Sequence, residues 1–161
     1  MNTLAAPGLG TQLRHLIELL DGGVENIYRS NGLDYRPRFT PIVKALEETD
    51  HLTIKTIASI AGISHSAASQ TISKMTQLGL LESLKGKDGR EKLIRLSPRC
   101  RSLLPKLHAH WTATQMAADG LDAELSMPLS QIAAEAISAL TEQPFSQRIS
   151  QAHDTKVMTE I

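Results

Sequence analysis

A mainly α-helical fold with one small β-hairpin is what this sequence predicts, and three observations predict it. Apolar residues recur at three- and four-residue steps over most of the chain, the period of amphipathic helices. One stretch breaks that period: two short runs between Leu80 and Leu96 flank Gly86-Lys87-Asp88-Gly89-Arg90, a turn holding two glycines. The composition, 41% apolar and 21% charged over 161 residues, is that of a folded chain long enough to bury its own core.

Each element has its own signal. Leu13, Leu16, Ile17, Leu20, Val24 and Ile27 form one apolar stripe on a helix from about Leu9 to Ser30, with Gly22-Gly23 placed to bend it. Asn31 to Pro37 is turn chemistry. Thr40 is expected to cap a helix that has Pro41 at its first position and runs to about Glu48. Thr53 caps the next, with Ile54, Ile57, Ala58 and Ala61 inward and Gly62 as its stop. Ser64 starts another, with Ala68, Ile72, Met75 and Leu78 inward and Gly79 at its end. After the hairpin, Ser97-Pro98 opens a long helix to about Asp119, followed by a helical turn at Asp122 to Leu125. A helix from Met127 or Pro128 to about Thr141 comes next, and Phe145 to Ile149 resumes helix after Pro144.

Seventeen basic and seventeen acidic side chains give a formal charge of zero, but the distribution is uneven. Residues 64–106 carry nine basic side chains against three acidic ones, while the segments on either side are net acidic. A polyanion responds to that local field rather than to the total. Cys100 is the single cysteine, so an intramolecular disulfide is excluded. No apolar run reaches the roughly 18 residues a membrane crossing needs, and Met1 to Gly10 shows no secretory signal, so the cytoplasm is the expected compartment.

The two short helices joined by Gly62-Ile63-Ser64 make a helix-turn-helix. The outward positions of the second are Ser66, Ser69, Gln70, Ser73, Lys74 and Gln77. Small residues let a backbone approach the DNA major groove, hydroxyls and amides bond base edges, and lysine holds phosphate. Gln70 has the amide geometry for adenine N6 and N7. The basic hairpin that follows is then a wing, with Arg90 at its tip suited to the narrow minor groove and Asp88 steadying the turn or Arg90. The DNA-contact set is Ser64, His65, Ser66, Ala67, Ser69, Gln70, Ser73 and Lys74 on the helix, with Lys87 and Arg90 on the wing.

From Leu52 to about Pro105 the chain resembles the MarR family of transcriptional regulators. The resemblance is carried by Leu52-Thr53, Ile57-Ala58, Gly62-Ile63-Ser64, Ser66, Ser69, Leu78-Gly79-Leu80-Leu81, and Asp88-Gly89-Arg90 leading to Leu96-Ser97. It implies a winged helix-turn-helix within a homodimer whose first helix and last two helices form the interface. Two positions depart from the family pattern: Gln70 stands where many relatives have Arg, and Ser83 where a basic residue is common. The dimer also follows from the chain, since the apolar stripes of the terminal helices exceed what a small winged core covers. The expected division is 1–36 for an N-terminal dimerisation helix and linker, 37–96 for the DNA-binding domain and 97–161 for C-terminal dimerisation helices.

The resemblance further implies a small, often aromatic, ligand between the dimer helices and the winged domain. Tyr28, Tyr35, Arg38, Phe39 and Trp111 are the residues placed to line such a cleft, and packing of the joint is the simpler use of them. Cys100, one turn into a helix and flanked by Arg99 and Arg101, reads as structural rather than as a redox sensor. His108 and His110 lie two apart on a helix and point away from each other, so no metal site is expected. No phosphate loop, nucleophile elbow or metalloprotease helix is present, which leaves an enzyme, and any cofactor, without a motif. The sequence thus predicts a dimeric regulator, most simply a repressor, that binds double-stranded DNA at a pseudo-palindromic operator. The competing class is a winged domain that binds protein rather than DNA.

Overall fold

The computed structural model describes the backbone of residues 7–85 and 92–159 and side chains as far as residue 154. The elements are α1 (Leu9–Ser30), a 3-10 turn (Pro37–Phe39), α2 (Thr40–Glu47), β1 (Leu52–Thr53), α3 (Ile54–Ala61), α4 (His65–Gln77), β2 (Leu81–Lys85), β3 (Lys92–Leu96), α5 (Pro98–Glu124), α6 (Leu129–Glu142) and α7 (Phe145–Thr159). They fall into two compact units, residues 1–110 and 111–161. Among the described residues no helix is long and apolar enough to cross a membrane.

The core of the first unit is built by the winged segment. Ile42, Val43 and Leu46 of α2, Ile57 of α3, Ala68, Ile72 and Met75 of α4, and Ile94 and Leu96 of β3 are buried, as are Cys100 and Leu107 of α5. The inward positions expected on α3 and α4 include Ile57, Ala58, Ala68, Ile72 and Met75, and all five are buried; Ile54, Ala61 and Leu78 are half-buried at the margin. The sheet is antiparallel with strand order β1-β3-β2. Its register sets Leu81 opposite Leu96, Ser83 opposite Ile94 and Lys85 opposite Lys92.

Several local expectations are corrected. Thr40 does not cap α2. It is the first residue of that helix, preceded by the 3-10 turn, and its hydroxyl accepts from the Tyr35 hydroxyl at 3.4 Å. By contrast, α1 has the bounds expected of it, Leu9 to Ser30, and runs as one helix through Gly22-Gly23. Asp122 to Leu125 is no separate turn: α5 continues through Gly120 to Glu124. Asp122 has another task, accepting from the first backbone N–H groups of α6, Leu129 at 2.7 Å and Ser130 at 3.3 Å, and from the Ser130 hydroxyl. Those bonds, the hydroxyl's first, hold its carboxyl below the usual aspartate range.

The terminal helices are packed differently from the winged segment. Only Tyr28 of α1 is buried, while Leu13, Ile17, Leu20 and Ile27 are exposed. In the second unit α6 buries no residue, and Ile132, Ile137 and Leu140 are exposed.

Candidate nucleic-acid interface

The helix-turn-helix is fixed by caps that are local in sequence. Thr53 Oγ1 accepts from the Thr56 N–H at 3.2 Å and starts α3. Gly62 takes φ +65°, a left-handed conformation that glycine adopts without strain. This turns the chain so that the Ile63 N–H closes onto the Ala58 carbonyl at 3.1 Å. Ser64 Oγ then accepts from the Ala67 N–H at 3.2 Å and starts α4.

With Ala68, Ile72 and Met75 buried, the opposite face of α4 is set by its period. His65, Ser66, Ala67, Gln70 and Ser73 are exposed, Ser64 is exposed beside them, and Ser69 and Lys74 are half-buried along the edges. Lys74 is the one formally charged residue from Ser64 to Leu81. The face is therefore free of acid, carries one positive charge at its edge and is rich in hydrogen-bonding groups. That face can approach stacked bases without repelling phosphate.

The hairpin supplies charge beside it. Arg95 and Glu82 face each other across the strands with a 2.7 Å ion pair, which neutralises the middle of the hairpin. Lys85 and Lys92 are directly opposite each other and exposed, so net positive charge gathers at the outer end. Sequence reading missed this pair because the opposition exists only in the register; counting back from a two-glycine turn would have shown it. Ser83 is exposed and uncharged opposite Ile94. Lys87 and Arg90 of the contact set, with Asp88, lie outside the described residues.

The aromatic candidates for a ligand cleft are only partly brought together. Tyr28, Tyr35 and Phe39 are buried and stack edge to face, with ring centroids 5.1 Å and 5.5 Å apart along the series. Arg38 lies over the Phe39 ring at 5.8 Å. His110 meets Tyr28 edge-on at 5.5 Å, and burial pushes the Tyr35 hydroxyl well above its usual range. Trp111 belongs to the second unit. An open cleft of about 530 Å³ lies elsewhere, lined by Asp50, His51, Leu84, Arg95, Leu96, Pro98 and Arg101.

His108 and His110 do diverge. His108 Nε2 is 2.5 Å from Glu47 Oε1, while His110 faces Tyr28. Among the described residues no three His, Cys, Asp or Glu side chains are grouped to hold a metal ion. Cys100 is fully buried, and burial, opposed by Arg101 and Arg99, pushes its thiol up to about 11. A thiol so placed is protonated at neutral pH and a poor nucleophile.

Two capped helices around a left-handed glycine, followed by an antiparallel hairpin, define a winged helix-turn-helix protein. Comparison with known proteins agrees with this fold. Residues 41–91 match the family model described as MarR family; the match overlaps the sequence resemblance from Leu52 to Glu91 and extends back over α2. Solved structures share the fold. The M. tuberculosis transcriptional regulator MOSR, in complex with DNA, aligns with TM-score 0.65 and 18% identity over 84% of this chain and 97% of that one. A MarR family transcriptional regulator from Silicibacter pomeroyi aligns with TM-score 0.60 and 17% identity over 86% and 99%. Bordetella bronchiseptica BpsR, described as regulated in DNA binding by 6-hydroxynicotinic acid, aligns with TM-score 0.60 and 13% identity over 89% and 99%. Comparison with curated protein sequences finds no match.

Proposed function

We propose that this chain is a sequence-specific DNA-binding regulator of transcription, a cytoplasmic repressor that acts as a homodimer on a pseudo-palindromic operator. The observation that carries the reading is the outward face of α4: hydroxyls, two amides, one imidazole and one lysine, without acid, on a helix whose other face is locked into the core. Ser64, His65, Ser66, Ala67, Ser69, Gln70, Ser73 and Lys74 are assigned to the major groove and its phosphates. Lys87 and Arg90 are assigned to the minor groove at the wing, and Lys85 and Lys92 to flanking phosphates. The homodimer is supported by the exposed apolar residues of α1 and α6. Residues 1–36 and 97–161 are read as the dimerising parts around a 37–96 reader. No catalytic step is assigned.

Relief by a small aromatic ligand belongs to the same reading and is supported by the likeness to BpsR. A ligand bound at Tyr28, Tyr35 and Phe39 has to part rings that now touch one another.

The test is selection of bound duplexes from a random-sequence pool at about 0.15 M salt, where non-specific attraction is screened. The expected result is an inverted repeat with half-site centres about 10 base pairs apart. A folded dimer that enriches no sequence is instead a winged protein-interaction module.

A further inference from the structure

Just past the carboxyl end of α4, at its C-cap Leu78 and the two residues after it, stand three consecutive carbonyls, those of Leu78, Gly79 and Leu80, which lie beyond the intrahelical bonding pattern. All three are taken by one short junction, the residues that open α5. The Ser97 N–H donates to the Leu80 carbonyl at 3.0 Å. Ser97 Oγ donates to the Gly79 carbonyl at 2.7 Å, and the Arg99 guanidinium donates to the Leu78 carbonyl at 2.7 Å. Ser97 Oγ also accepts from the Cys100 N–H at 3.0 Å, so one hydroxyl caps α5 and grips α4 together. Gly79, at φ +69°, is what brings these carbonyls round, and a Cβ there would lie 3.6 Å from the Arg99 guanidinium.

We propose that Ser97 and Arg99 are positioning residues for base reading: they fix the tilt of α4 against the first turn of α5 and so set where its outward side chains meet DNA. The proposal rests on the assignment of α4 as the reading helix. Ser97 is 5% exposed and cannot itself contact DNA, so any effect it has on base preference passes through α4. The lever is long. Thirteen residues span roughly 20 Å, so a tilt of about 5° at the held end displaces the far end by nearly 2 Å. A hydrogen bond to a base edge does not survive such a shift.

The experiment uses the full-length protein, its selected duplex and a scrambled duplex of equal length, with affinities measured over a salt series well below the melting temperature. Expected for Ser97→Ala is a tenfold or greater fall in the selected-to-scrambled preference with an unchanged salt slope, restored by Ser97→Thr, which keeps the hydroxyl. Expected for Arg99→Ala is a three- to tenfold fall in the same ratio, again with an unchanged slope. A purely structural role lowers the melting temperature and leaves the ratio alone, and that result overturns the proposal. Equal weakening on both duplexes with the slope reduced by about one makes Arg99 a phosphate contact, which also overturns its part. Should Ser97→Ala not fold, Arg99→Ala decides, because that side chain is exposed and its loss opens no cavity. A wild-type protein that prefers neither duplex fails at the assignment of α4, and is told apart from a failed latch by the wild-type measurement alone.

Discussion

Helices α4 and α6 are nearly equal in length, 13 and 14 residues, and meet solvent in opposite ways. On α4 the apolar residues Ala68, Ile72 and Met75 are buried, and what remains outside is mainly polar, with serine, glutamine, histidine and threonine and a half-buried lysine. On α6 nothing is buried, and what remains outside includes Ile132, Ile137 and Leu140. The difference teaches what each helix is for. A helix that has satisfied its apolar face at home offers a polar face to a polar partner. A helix that has not is stable in water only when a second apolar surface covers it.

The largest effect that breaks this contrast is expected on α6. In the double substitution Ile132→Glu with Ile137→Glu, each site forfeits about 1.5–3 kcal/mol of apolar burial and adds a charge to desolvate. The dimer should weaken at least a hundredfold, and light scattering should report a mass of 17.6 kDa rather than twice that. Operator affinity should collapse with it, because half-sites are then read singly. A variant that keeps its dimer mass places the interface elsewhere.

The two helices also differ in how truncation acts. Ile72→Ala removes a side chain that is 2% exposed and should cost about 2–5 kcal/mol in urea unfolding at any protein concentration. Ile137→Ala, at a residue 67% exposed, should cost less, and its effect should change with protein concentration, as mass action requires of a residue buried only in a dimer. A concentration-independent loss at Ile137 would place that side chain in the fold of the single chain.

The winged segment was largely legible in the sequence because its determinants are local. Thr53, Gly62 and Ser64 make their bonds within three to five residues, so spacing alone locates α3 and α4. What escaped is made by partners distant in the chain. Strand β1 is two residues long and exists because Leu52 and Thr53 pair with Ile94 and Leu93. The grip of Ser97 and Arg99 on the end of α4 joins residues 18 and 21 positions apart. Thr40 has the composition of a cap, yet its hydroxyl is engaged by Tyr35 and the preceding 3-10 turn leads the chain into α2. On the candidate site, residue types and helical period located the exposed polar face of α4, the face proposed to read DNA, whereas the opposed lysines needed the strand register.

Gln70 sharpens the polar half of the contrast. Its side chain is exposed at the middle of α4 and is the amide best suited to a bidentate bond with adenine. Gln70→Ala should lose about 1–3 kcal/mol of discrimination at one base pair of each half-site, measured on duplexes changed at single positions. Affinity for a scrambled duplex should stay nearly unchanged. Equal loss on every sequence would reassign Gln70 to phosphate.

The smallest effect is the most diagnostic, because its two parts have opposite signs. Lys85 and Lys92 stand directly opposite each other and exposed, and like charges in that position oppose strand pairing. Lys92→Gln removes the repulsion, so the free protein should gain a few tenths of a kcal/mol in thermal unfolding at low salt. If the pair serves phosphate, the same variant should bind every duplex more weakly, and the slope of log affinity against log salt should fall by about 0.9. A stabilised protein with an unaltered slope would leave the outer wing out of the interface. A lowered slope would mean that the hairpin keeps an unfavourable pair of charges because DNA, and not the fold, makes use of them.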